Sequence, residues 1–417
     1  MIENKQYRIK RSEISPDNSL IDVVKQVVDK NAIRWYISQI TSDYMMIEAT
    51  LYSEEFPEMG ESVEGQYYPG KTVVVNIVPT GIGCSIGGYA GDATPTANLL
   101  ASTVDYLITN PNTVNASNFI NLKNNVVYAE GHSIDLFCQG AVNFHLPYAN
   151  NVGLIIEKSE DWKIEILFNV INAVRAIYGV NILEPVITDE PIYSRCIQNE
   201  VGAFVGTVDN PNVLFNAGQE LIKKGANAIA ITTNVQDLPS EMYAQHFRGE
   251  CPNPVGGVEA IMSHLMMKKF QIPVAHGPLL NIKDLDLAHN IVDARGAGEM
   301  ASASGLACIL VGLQKAPQIK VKPNTRIADV INLNNLLAIV MPATSLGGVP
   351  ILQAEKYNIP VIAVRENHTI LDVSQSQLQL SNVIEVHSYA EATGIILALK
   401  NGIHLESLSR PFMTLRP

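Results

Sequence analysis

From Lys71 onward, short runs of β-branched and aliphatic residues alternate with stretches whose apolar residues fall at helical spacing. The runs cover residues 72–78, 105–109, 125–129, 152–157, 202–208, 228–232, 272–276, 336–341, 359–364 and 383–387. They read as near-continuous apolar segments rather than alternating ones, so each strand needs cover on both faces. A parallel sheet clad by helices provides that cover, and the body is expected to be α/β. About ten strands exceed one sheet of usual size. Two α/β lobes with mostly parallel sheets are therefore expected, residues 69–190 and 191–417.

Residues 1–68 read differently. Residues 6–14 have the pattern of a strand, Leu20, Val23, Val24, Val27 and Val28 are spaced along one helical face, and residues 33–40 and 44–51 form a hairpin pattern turning at Ser42-Asp43. A small βαββ unit is expected at the N-terminus. The polar stretch 53–70, with five glutamates and three glycines, is the linker between that unit and the body.

Composition narrows the partners. With 29 Lys+Arg against 41 Asp+Glu the chain carries −12, so it gains nothing from releasing counterions on nucleic acid or from an anionic membrane surface. The 47% hydrophobic content set against 17% charged residues excludes wholesale disorder. Residues 1–11 are polar, and the uncharged runs 72–91 and 336–353 are broken by proline and glycine, so neither a signal segment nor a membrane helix is expected and the location read from the sequence is cytoplasmic. The five cysteines are scattered and never in CxxC spacing; they read as reduced thiols, with no metal site signalled. A small anionic molecule is the expected partner, and a homo-oligomer stays open.

Directly after the first run stands Pro79-Thr-Gly-Ile-Gly-Cys-Ser-Ile-Gly-Gly-Tyr-Ala-Gly-Asp92. Such a loop lets backbone approach a ligand closely, and its successive amides can surround an anion. Thr80, Gly81, Gly83, Ser85, Gly87, Gly88 and Asp92 are therefore candidate binding residues. NAD(P) is not favoured, because the loop runs past Gly91 before any helix and the next strand ends in Asn110 instead of an acidic residue. ATP is not favoured either, because Gly70-Lys71-Thr72 precedes its strand and would put the lysine at the wrong end of the sheet. No cofactor is assigned.

Two Gly-Gly pairs form an internal echo. Gly256-Gly257-Val258 leads through a helical stretch to Ile272-Pro-Val274, and Gly347-Gly348-Val349 leads likewise to Ile359-Pro-Val361. Helix N-termini at the carboxyl edge of a parallel sheet offer amides to an anion, while glycines there equally allow a helix to pack close against a strand. With Ser345, both pairs are expected to share one pocket with the first glycine-rich loop. Asn110-Pro-Asn112-Thr113 also ends a strand, although asparagine before proline is ordinary capping chemistry. Those four residues echo the motif of hydantoin and Asp/Glu racemases, which use two facing cysteines; spacing identifies no partner for Cys84.

Acid/base candidates are Glu130 and His132, which follow the run 125–129, and His276, which ends the run 272–276 before Gly277-Pro278; Glu130 could equally cap a helix, and a lone histidine after a buried strand is more often structural. His264 reads as packed within a helix. Residues 292–304 place Asp293, Arg295, Glu299 and Ser302 at the entrance to an apolar helix ending near Leu313. There Arg295 could grip a carboxylate or phosphate in bidentate fashion while Asp293 or Glu299 moves a proton, or the same charges could cap the helix. No HExxH or GxSxG motif points to a metalloprotease or serine hydrolase.

Pro-Thr-Gly-Ile-Gly with Gly-Gly-Tyr-Ala-Gly-Asp92, Asn-Pro-Asn-Thr, Gly-Gly-Val-Glu-Ala-Ile, Pro-Val-Ala-His276-Gly-Pro and Cys308-Ile-Leu-Val-Gly-Leu-Gln-Lys-Ala-Pro317 together resemble an uncharacterised family known mainly from cyanobacteria and plastid-bearing lineages. The similarity spans nearly the whole chain and implies no particular activity. From the residues themselves, an acid/base enzyme acting on a small carboxylated or phosphorylated metabolite is expected, of isomerase, lyase or hydrolase type. The alternative is a non-catalytic sensor of a metabolite or nucleotide that signals through the N-terminal unit.

Overall fold

The apolar runs become strands covered on both sides: Val73–Asn76 and Val361–Val364 are buried at every position. Both belong to a six-stranded sheet in which every pair is parallel. In spatial order its strands are Val126–Tyr128, Tyr106–Thr109, Val73–Asn76, Leu336–Pro342, Val361–Val364 and Val383–Val386. Numbered along the chain this is the 3-2-1-4-5-6 order of the doubly wound fold. Val73–Asn76 and Leu336–Pro342 lie side by side, and the loops that follow them diverge to opposite halves of the sheet. That crevice is the switch point at which doubly wound folds hold their ligands.

The structure is a computed structural model and describes residues 1–14, 18–57, 70–114, 121–236, 240–279, 291–301, 305–319 and 329–416. Most of the expected linker and Ser302 lie outside them. Between the two halves of the large sheet, the chain forms a second parallel sheet of four strands in the order Val274–Pro278, Ala228–Thr233, Val152–Ile156 and Val186–Ile187. Phe204–Val208, expected among the parallel strands, instead pairs antiparallel with Ser194–Gln198. Both parallel sheets take strands from either side of residue 190. The four-stranded sheet is therefore inserted within the large one along the chain, and the strands are not distributed as two consecutive lobes.

The N-terminal unit is βαββ. Tyr44–Tyr52 lies between Ile2–Lys10 and Ala32–Ile40 in an antiparallel sheet, with the helix Leu20–Val27 before the hairpin. The first strand starts at Ile2 rather than at residue 6 because Ile2 already pairs with Tyr52. This unit is no detached appendage. Its buried Ile21, Ile33, Ile37 and Ile47 belong to the same hydrophobic cluster as Val75, Val258 and Ile351 of the body. Lys268 Nζ donates to the Ala32 carbonyl at 2.8 Å, Lys356 pairs with Asp22 at 3.0 Å, and the Ile37 amide donates to the Gly347 carbonyl at 3.0 Å.

Candidate functional site

The carboxyl ends of both parallel sheets open into one cavity of about 290 Å³. Ile77 and Pro79, Asn110, Glu130 and Met341 reach its wall from four strand ends of the large sheet, and His276-Gly277-Pro278 from the four-stranded sheet. The Gly256–Phe270 helix lines it with Gly256, Glu259, Ser263 and His264, and the N-terminal hairpin closes it with residues 34–37. Of the residues singled out from the sequence, Thr80, Asn110, Asn112, Glu130, Gly256, His276, Glu299, Ser345, Gly347 and Gly348 stand on this wall. Gly81, Gly83, Ser85, Gly87, Gly88, Asp92, His132, Gly257, Asp293 and Arg295 are not on it.

The glycine-rich loop is a tied knot rather than an open anion nest. Asp92 accepts from the amides of Gly87 and Tyr89, Asn367 Oδ1 from that of Ile86, the His368 carbonyl from that of Ser85, and the Asn112 carbonyl from that of Gly91. Amides that would cradle a phosphate are thus taken by protein acceptors. Asn110 spans the gap between neighbouring strands, accepting from the Val78 amide at 3.0 Å and donating to its carbonyl at 2.9 Å, and Asn112 donates to the Gly87 carbonyl at 2.7 Å. The Asn-Pro-Asn motif therefore laces the loop in place. Burial pushes the Asp92 carboxyl up to about 6 despite these amides.

The Gly-Gly pairs are packing devices first. A Cβ on Gly257 would lie 2.1 Å from the Phe204 carbonyl oxygen, and one on Gly347 2.6 Å from that of Ile37. Glycine is required at both because backbone meets backbone. The Gly256 helix also follows another helix, Ser240–Phe247, rather than a strand directly.

Arg295 stands off the cavity wall with its fork engaged by Asp293. Its Nε and Nη2 hold both oxygens of Asp293 at 2.9 Å, the guanidinium lies 5.1 Å from the centre of the Tyr89 ring, and the Asp293 amide donates to the Phe247 carbonyl at 2.8 Å. The bidentate grip holds the Asp293 carboxyl down at about 2. Such a group is a poor proton carrier near neutral pH. The Asp293 amide ties this pair to the end of the Ser240–Phe247 helix, where the expectation from the sequence places an anion clamp on the cavity.

Glu299 is different. It lies on the cavity wall, one oxygen accepts the Ala90 amide at 2.9 Å, and Tyr243 hydrogen-bonds its carboxyl. Burial, reinforced by the negative charges of Glu259 and Asp92, lifts it to about 7. Across the same cavity Glu259 accepts from His276 Nδ1 at 3.1 Å, and His276 Nε2 lies 2.9 Å from Thr233 Oγ1. The His276 side chain is fully buried while that of Glu259 is 20% exposed, so the carboxylate and not the imidazole meets the cavity. The imidazole therefore bridges Glu259 on one side and Thr233 on the other, which fixes its plane behind the carboxylate.

A second polar cluster stands on another part of the wall. Glu130 caps the Gly131–Cys138 helix by accepting the His132 amide and both the amide and the hydroxyl of Ser133. Burial still raises it to about 7, and raises Asp135 on the same helix well above the carboxyl range. His264 is 9% exposed, with Nδ1 3.5 Å from Glu130 and without a hydrogen-bond partner; burial lowers it to about 3. His132 packs 5.9 Å from the His264 ring and is likewise pushed well below the usual imidazole range. Burial thus disfavours the charged form of every group in this cluster.

Sequence reasoning missed Arg34, Asp135 and Glu259, while His264 lies packed within a helix as expected. Glu259 was within reach, since it stands in the Gly-Gly-Val-Glu segment, but attention to the glycines passed over the carboxylate two residues on. Cys84, whose thiol is raised by burial, donates to the Pro79 carbonyl at 3.4 Å and is buried in the loop's interior, away from the cavity wall. Among the described residues no group of three or more His, Cys, Asp or Glu is arranged to hold a metal, and no helix is long and apolar enough to cross a membrane.

The chain matches, over residues 72–409, the family described as protein of unknown function DUF3326. It is also 36% identical over 337 residues, 80% of this chain and 92% of the relative, to an uncharacterized lipoprotein of Synechococcus sp.. The matched region takes in both parallel sheets and every wall residue of the cavity except those of the N-terminal hairpin. The chain therefore belongs to the DUF3326 family, with a βαββ unit placed ahead of the family region.

Proposed function

We propose that the protein is an enzyme that moves protons on a small anionic metabolite held in this cavity, by general acid/base catalysis in an isomerisation, elimination or hydrolysis. The observation that carries the reading is the pairing of Glu299 with Glu259. Both stand on the cavity wall, and the charge of Glu259 adds to the burial that raises the Glu299 carboxyl. Glu299, lifted to about 7, keeps its proton and acts as the acid; Glu259, braced from behind by His276, acts as the base. His276 and Thr233 are positioning residues in this scheme: His276 touches Glu259, and Thr233 touches His276 in turn. The site of action we assign is the cytoplasm, and the word lipoprotein belongs to the Synechococcus relative.

The test begins with a metabolite screen by thermal shift, followed by NMR of each binder in deuterated buffer. Turnover or solvent deuterium uptake is expected for at least one binder with the wild type. Glu299→Gln and Glu259→Gln should each lower it about 10²- to 10⁴-fold, as removal of a general acid or base does, while binding persists. A second reading, a metabolite sensor, has one observation in its favour: the N-terminal unit itself forms part of the cavity wall. Tight binders that show neither turnover nor deuterium uptake with the wild type would decide for the sensor.

A further inference from the structure

The cavity wall carries several carboxyl groups and, among the described residues, a single arginine and no lysine. That arginine is Arg34, on the strand Ala32–Ile40 of the N-terminal unit. Its surroundings leave it underused. Among the described residues the guanidinium makes one long hydrogen bond, 3.5 Å from Nη1 to the Gly257 carbonyl, lies 5.4 Å from the centre of the Tyr36 ring, and forms no ion pair. A guanidinium has five donors in a planar fork, and a carboxylate is the partner that fits two of them at once.

The nearby acids do not supply that partner. Asp135 and Glu48 feel the charge of Arg34, which opposes the burial that raises both, but among the described residues neither they nor Glu130 come into ion-pair contact with its fork. The bond to Gly257 also places the fork beside the first turn of the helix that carries Glu259. Much of the remaining wall is apolar, with Trp35 and Ile37 from the same strand, and Ile77, Ile134 and Phe247 from the body.

We propose that the cavity takes a small, largely apolar organic acid with one carboxylate, seated in the fork of Arg34, and that the N-terminal unit thereby sets the substrate class of the acid/base centre. This rests on the reading of Glu259 and Glu299 given above for the word substrate, but not for the binding itself. A single cation balances one negative charge. A phosphate dianion or a dicarboxylate would bring a second charge against Glu259 and Glu299 with nothing on the wall to meet it. The family region starts at residue 72, so the head-group reader lies outside it.

The experiment is binding to the full-length chain by calorimetry and thermal shift. The probes are straight-chain acids from butanoate to octanoate, benzoate and phenylacetate, the primary amides of the same acids, succinate, and phenyl phosphate. The wild type should bind at least one monocarboxylate, more tightly than its amide, than succinate and than phenyl phosphate. Arg34→Gln should weaken that acid by on the order of ten- to a hundredfold, the range of a charge-assisted bond, and leave the amide unchanged. Arg34→Lys should fall between, because it keeps the charge and loses the fork. An equal loss of acid and amide would mean that the variant has spoiled the cavity's shape, and would overturn the assignment. So would equal binding of the acid to wild type and Arg34→Gln, preference for phenyl phosphate or succinate, or failure of every monocarboxylate to bind the wild type. Turnover that survives in Arg34→Gln with unchanged KM would leave the acid/base reading standing and sink this one; full turnover in Glu299→Gln and Glu259→Gln, with the Arg34 discrimination between acid and amide intact, would sink that reading and leave this one standing.

Discussion

At the level of single residues, the protonation of Glu299 yields a signed prediction. Its carboxyl is lifted from the usual range to about 7 in the folded protein, so the folded state holds this proton more firmly than the unfolded chain does. The stability linked to it is present at low pH and declines as pH rises from roughly 4.3, the unfolded value, to about 7, then levels off. Glu299→Gln removes that slope. The melting temperature of the variant relative to wild type should therefore be higher at pH 8 than at pH 5, because titrating groups that do not touch Glu299 cancel in the difference. A flat or opposite trend would mean that Glu299 is ionised in the fold. In turnover, the wild-type rate should fall as pH passes upward through about 7, where the acid is lost. The groups involved were unevenly visible beforehand. Glu299 and His276 drew notice through their loops, whereas Glu259 needs His276 to become meaningful, and the two are brought together only when the Gly256–Phe270 helix packs on Val274–Pro278. Arg34 lies in a strand of a unit that looked separate, and nothing local in its sequence says that it faces a cavity.

Among the elements, glycine placement decides what can dock against what. Gly347 meets the Ile37 carbonyl so closely that a methyl group would sit 2.6 Å from the oxygen, and the Ile37 amide bonds to Gly347 in return. Gly347→Ala should force the hairpin off the loop and cost roughly 1–3 kcal/mol, the scale of overpacking in a tight contact. Gly394, in the exposed part of the Tyr389–Lys400 helix, has nothing within 4 Å of its would-be Cβ. Gly394→Ala should stabilise by about 0.5–1 kcal/mol through helix propensity alone. Urea denaturation of both variants checks the contrast, and a neutral Gly347→Ala would show that the hairpin contact gives way easily. The glycines also mark the limit of what sequence reading could resolve. A Gly-Gly pair before a helix has the same appearance whether it admits an anion or a neighbouring backbone, because in both cases the signal is only the missing side chain. The strand and helix periods carried the fold class and the βαββ unit, but the interior choice between ligand and carbonyl depended on residues that arrive from elsewhere in the chain.

For the whole molecule, the order of strands matters more than their number. A reader of the sequence meets three strands of the large sheet, then a long insertion with its own parallel sheet, then the other three, and local patterns cannot tell that the last group returns to the first. That return puts Leu336–Pro342 against Val73–Asn76, and their shared edge forms the crevice above which the cavity lies. Cutting the chain at residue 190 would leave Val73–Asn76, buried at every position, with an open edge and half of its cover gone. It would also part Val152–Ile156 from its neighbour Ala228–Thr233. Unpaired edges of buried apolar strands are unstable and prone to associate. Fragments 1–190 and 191–417 made separately should therefore show no cooperative thermal transition and poorly dispersed amide spectra, while the intact chain shows both in native form. Either fragment melting sharply by itself would mean that the strands need not be completed across the cut, and that the cavity joins two units able to fold apart. Mixing the two fragments after denaturation gives the complementary measurement: recovery of a native-like spectrum only in the mixture is the outcome that sheets completed across the cut require.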